Sequence, residues 1–123
     1  IVADWHWRRG LAARRTNDAA GAVREFEAAF VFNPELPGLA RELGNAYVDR
    51  GEFQKAKAPL EEYHRQAPHD PQAAMLLAQV YARERRFREA RALLTQAAAA
   101  ATAQGDLELA NFCQEILGQL PGR

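Results

Sequence analysis

The sequence predicts an all-α fold, a solenoid of helix-turn-helix hairpins. It repeats itself at a spacing of 34 residues, its apolar residues recur at helical intervals inside each unit, and turn-forming residues stand where a hairpin must close. Asn33-Pro34 and Ala67-Pro68 lie 34 positions apart, and the same shift places Gly10 on Gly44 and Ala78, Ala22 on Ala56 and Ala90, and Phe26 on Leu60 and Leu94. Ala29 falls on Tyr63 and Ala97, Leu43 on Leu77, Tyr47 on Tyr81, Phe53 on Phe87 and Pro37 on Pro71.

The pattern places hairpins near residues 4–32, 37–66 and 71–102 and a last helix near 106–119. In the first, Trp5, His6 and Trp7 open the chain. Neighbouring helix positions point about 100° apart, so the two tryptophans are expected to face different ways, with one packing on the unit. In the second, Leu43, Gly44, Tyr47 and Val48 share one helix face, and Phe53, Ala56, Leu60 and Tyr63 share the other. Gly44 and Ala56 let the backbones approach. Gly51 suits the left-handed turn between the two helices. Pro59 falls inside the second helix, where it removes a backbone donor and should bend the helix locally. Pro68 closes that helix, and Asp70-Pro71 opens the next as N-cap and first helical residue. In the third unit Arg85 stands where the second has Gly51, so its turn either differs or carries strain. The last helix carries Leu109, Phe112, Cys113 and Ile116 on an apolar stripe.

The chain has 123 residues, 48% apolar and 26% charged, a balance that folds. Sixteen basic and sixteen acidic residues cancel, so no net field draws it to nucleic acid or an anionic membrane. The longest apolar run, Ala73–Ala78, is far too short to span a bilayer, and no direct membrane insertion is expected. The start at Ile1 without a methionine reads as a piece cut from a longer protein, and leaves both a cytoplasmic and a periplasmic location open. Its alanine- and arginine-rich composition suggests a bacterial gene.

Chemistry finds little support. His6, His64 and His69 lack the converging partners a metal needs and are expected on the surface. Cys113, the single cysteine, is expected to act as a small buried hydrophobe. Arg83, Arg85, Arg86, Arg88 and Arg91 crowd together, but Glu84 and Glu89 lie among them, and the one aromatic there, Phe87, belongs to the expected core. No phosphate loop or nucleophile–base spacing is present. No enzyme activity, cofactor, metal or nucleic-acid partner is therefore expected.

The repeated residues resemble the tetratricopeptide repeat family. Its motif is met by Leu43, Gly44, Tyr47, Ala56, Leu60 and Pro68 in the unit spanning 37–70, and by Leu77, Ala78, Tyr81, Ala90, Leu94 and Ala97 in that spanning 71–104. The first unit, 3–36, keeps Gly10, Ala22, Phe26, Ala29 and Pro34 but has Arg9 for the usual leucine and Ala13 for the usual tyrosine. The resemblance implies a right-handed α-solenoid forming one domain over 1–123, with 106–119 as a capping helix.

Stacked hairpins turn their first helices toward a concave surface. Residues of those helices not needed for hairpin packing are Trp7, Leu11 and Arg14; Arg41, Asn45, Val48 and Asp49; and Gln72, Met75, Gln79 and Arg83. Amides can bond an extended peptide, and Trp7, Leu11, Val48 and Met75 can take apolar side chains. The resemblance thus implies a module binding a peptide segment or partner subunit, as a monomer or weak homo-oligomer. The alternative is a structural spacer or self-association element of a larger multi-domain or cell-envelope assembly. The basic clamp by which some family members hold chaperone C-termini is replaced here by Trp7, Leu11, Glu42, Gln72 and Leu76.

Overall fold

The computed structural model describes residues 1–122. Helices α1 (Val2–Arg15), α2 (Ala19–Phe32), α3 (Leu39–Asp49), α4 (Phe53–Gln66), α5 (Pro71–Arg83), α6 (Phe87–Ala103) and α7 (Leu107–Gln119) make the described residues 79% helical, with no strand among them. They fall into two compact units, divided between Glu62 and Tyr63 inside α4.

The turn between first and second helix is the same in every hairpin. Asn17, Gly51 and Arg85, each 34 residues from the next, are left-handed with φ of 62°, 73° and 63°. In each the two N–H groups past the helix reach back to its last turn: Asp18 to Ala13 and Asn17 to Arg14, Glu52 to Tyr47 and Gly51 to Val48, Arg86 to Tyr81 and Arg85 to Ala82. This double closure satisfies carbonyls that the helix end leaves orphaned. Gly105 (φ 80°) closes α6 in the same manner. The carboxylates of Asp18 and Asp106 then cap α2 and α7, accepting from Gly21 N–H at 2.9 Å and Leu109 N–H at 3.1 Å.

One helix start departs from the repeat. Pro71 begins α5 directly behind Asp70, whose carboxylate accepts from Gln72 N–H at 2.9 Å. Its counterpart Pro37 follows Leu36, which has no capping oxygen. The chain turns once more through Gly38 at φ 87°, and α3 starts at Leu39.

In the first unit α2 packs between α1 and α3. A Cβ on Gly10 would lie 2.5 Å from the Phe26 ring, and one on Gly44 2.5 Å from Leu60 Cδ2, so both glycines are required by close helix approach. Phe26, Leu39, Ala40, Leu43 and Leu60 form the sealed core there. In the second unit α6 packs between α5 and α7. Leu77, Ala78, Ala90, Leu94, Ala97 and Cys113 are buried. The α4 helix runs unbroken across a buried Pro59.

Candidate functional site

A cavity of about 340 Å³ opens in the first unit, a size that suits a side chain or two. Its floor is α2, through Ala22, Val23 and Phe26. One wall is the last turn of α1 at Arg14. The other is α3, whose Glu42, Asn45 and Asp49 recur at helical spacing and so share one face. The Arg14 guanidinium reaches the Glu42 carboxylate across the cavity, and Arg41 approaches the same carboxylate at 3.6 Å. Among the described residues the Asn45 amide and the Asp49 carboxylate have no side-chain partner. The arrangement offers an amide with both donor and acceptor free, one uncompensated negative charge and an apolar floor.

The sequence-predicted groove residues divide. Arg14, Asn45 and Asp49 line this cavity. Arg41 is exposed on the same helix, and Leu11 and Val48 are half-buried. Trp7 is a packing residue, its ring 5.3 Å from that of Phe26 and close beneath Gly38, so it is the tryptophan that the unit absorbs while Trp5 stays 54% exposed. On α5, Gln72 and Gln79 are half-buried and Arg83 is exposed. Met75, expected to offer an apolar contact, is buried, and its sulfur accepts from Gln79 Nε2 at 3.2 Å.

Two histidines expected on the surface are not there. His6 is half-buried: its Nδ1 lies 2.6 Å from Glu25 Oε1, and its ring stacks on Phe32 with centroids 6.0 Å apart. The bond from His6, helped by Arg9 at 3.3 Å, holds the Glu25 carboxyl below its ordinary range. His64 is half-buried too, with Nε2 closed off and unpartnered among the described residues. His6 and Glu25 lie 19 positions apart on different helices, and no local spacing reveals the pair. Arg9, which breaks the repeat pattern, is explained by the same cluster, since it also lies 4.7 Å over the Trp5 ring.

The arginine cluster is largely engaged. Arg86 bonds Glu89 at 2.6 Å and Glu84 at 3.4 Å and lies 3.9 Å over Tyr81, and these contacts raise its pKa. Arg85 lies 5.7 Å over Phe87. Arg91 donates to the carbonyls of Pro121 and Gly122 at 3.2 and 3.0 Å, closing a crevice of about 710 Å³ beside α6 that includes Phe87 and Thr95. Burial pushes the Cys113 thiol up, away from the reactive thiolate. Among the described residues no three potential metal ligands gather, and no helix is long and apolar enough to cross a membrane.

A family model described as tetratricopeptide repeat matches residues 13–80 and again 48–116. No curated protein matches the sequence. Among solved structures, the type III secretion translocator chaperone SycD of Yersinia enterocolitica aligns with a TM-score of 0.73 at 16% identity, over 97% of this chain and 91% of that one. A crystal structure of MamA gives 0.67 at 16% identity, over 97% of this chain and 73% of its own. MamA of Desulfovibrio magneticus RS-1 gives 0.65 at 17% identity, over 96% and 75%. At such identities the likeness is one of fold.

Proposed function

Because the chain belongs to the tetratricopeptide repeat family, a family of protein-interaction scaffolds, we propose that its first unit holds an extended segment of a partner protein in the cavity between α1, α2 and α3. The observation that carries this is Asn45: an amide without a partner, above an apolar floor, between two carboxylates on one helix face. It can donate to and accept from one peptide unit and so hold a backbone whatever its sequence. Ala22, Val23 and Phe26 would take an aliphatic stem, and Asp49 a positive tip. SycD, which shares this fold, is a type III secretion translocator chaperone, and such a site is compatible with a chaperone's role.

A photo-crosslinker in place of Asn45, and one in place of the exposed Glu61 on α4 as control, would mark the partner. A synthetic peptide covering the crosslinked segment then gives a titration. Asn45→Ala should leave folding within about 0.5 kcal/mol. It should weaken the peptide by roughly 1–2 kcal/mol, about 5- to 30-fold, from the lost bonds and the peptide groups left unpaired. Crosslinks confined to position 61, or a peptide indifferent to Asn45→Ala and Arg14→Ala, would remove the cavity as the site.

A further inference from the structure

Two surfaces outside the cavity are built in opposite senses. The first lies at the edge formed by α1 and the end of α2. Trp5 is 54% and Phe32 60% exposed, and His6 joins them into one aromatic strip, 4.8 Å from Trp5 and stacked on Phe32. Its helix is basic: Arg8 and Arg9 stand there in exposed bridges to Asp4 at 3.0 Å and Glu25 at 3.3 Å, Arg14 is turned to Glu42 at the cavity, and among the described residues Arg15 has no partner. Exposed aromatics beside arginine are the composition that anchors protein interfaces.

The second is the outer face of α7. Leu107 is 62% and Phe112 44% exposed, and between them on the helix surface stand Glu108 and Glu115, seven residues apart and so on one face. Among the described residues neither carboxylate has an ion-pair partner, and α7 contains no basic residue. Beyond them, Gly118 leaves open space where a Cβ would be.

We propose that the chain self-associates head to tail, the aromatic, arginine-bearing edge of one copy docking on the acidic face of α7 of a second. Charge selects this pairing. Two α1 edges brought together would oppose arginines, and two α7 faces would oppose glutamates, whereas edge against α7 sets arginine beside unpaired glutamate with apolar residues on both sides. Such an interface is heterologous: a pair of copies keeps one free surface of each kind, so growth does not stop at a dimer unless geometry closes a ring.

Sedimentation velocity over a concentration series tests this. The mass of the unmodified chain should rise with concentration past that of a dimer, and the rise should weaken as salt screens the arginine–glutamate pairs. Trp5→Glu, or Phe32→Glu in its place, blocks the first surface, and Phe112→Arg the second. All three positions are exposed, so circular dichroism should show unchanged folding, and each variant alone should stay monomeric. Mixed in equal amounts, Trp5→Glu and Phe112→Arg still have one good surface each. They should associate, where each alone does not. A monomer at every concentration overturns the proposal. So does association that ignores both sets of variants, or a mixture that stays monomeric while the unmodified chain associates, which would mean an interface joining like surfaces.

Discussion

At Arg85 the sequence asks for one thing and the backbone does another. Its φ of 63° puts a bulky L-residue where glycine belongs. The turn is held there by its hydrogen bonds and by the helices it joins, so the strain persists. Left-handed geometry costs a non-glycine residue about 1–2 kcal/mol, part of which glycine's larger unfolded entropy cancels. Arg85→Gly should therefore gain about 0.5–1 kcal/mol and raise the melting temperature by roughly 2–5 °C. The converse is Gly51→Ala. The new Cβ meets nothing within 4 Å, yet φ of 73° remains, so about 1 kcal/mol should be lost from backbone strain alone. Scanning calorimetry on both variants checks the pair. Asn17 sits at the same place in the first hairpin, and asparagine tolerates the geometry better.

At the scale of elements, close helix approach and one polar pair between helices dominate. Gly44→Ala places a methyl 2.5 Å from Leu60 Cδ2 in a sealed core, and should cost about 1–3 kcal/mol despite alanine's better helix propensity. The same change at Gly118, with open space around it, should instead stabilise by up to about 1 kcal/mol. Urea midpoints of the two variants should move in opposite directions. The α1–α2 contact is tied by His6 and Glu25. Since the Glu25 carboxyl titrates below its ordinary 4.5 when folded, its contribution is complete above that value and is lost as pH falls through the lowered one. Glu25→Gln should be less stable than the unmodified chain at neutral pH, and the difference should shrink as pH drops below 4.5. A gap that stays constant into acid would mean the pair contributes no linked stability.

For the whole molecule, composition and fold agree in leaving recognition to particular surfaces, since the net charge is zero. Acidic C-terminal chaperone peptides, which other family members hold with a basic clamp, should show no binding in a calorimetric titration. Glu42 already holds Arg14, and Leu76 is buried and apolar, so an added carboxylate would find no free cation at those positions. Micromolar binding would contradict this.

The sequence by itself determined the helices, their order and roughly where the chain turns. Those depend on neighbours within a few positions, on apolar residues at helical spacing and Asp70-Pro71 at a helix start, and the 34-residue repeat sets the units in register. It also separated Asn45 and Asp49 from the core face of α3. Tertiary structure decided what each surface residue does once helices meet. It took Trp7 into packing beneath Gly38, buried Met75, and brought His6 to Glu25 and Arg14 to Glu42 from 19 and 28 positions away. Periodicity states which side of a helix a residue occupies. Which partner waits there depends on the neighbouring helix, and that is fixed only when the cores close.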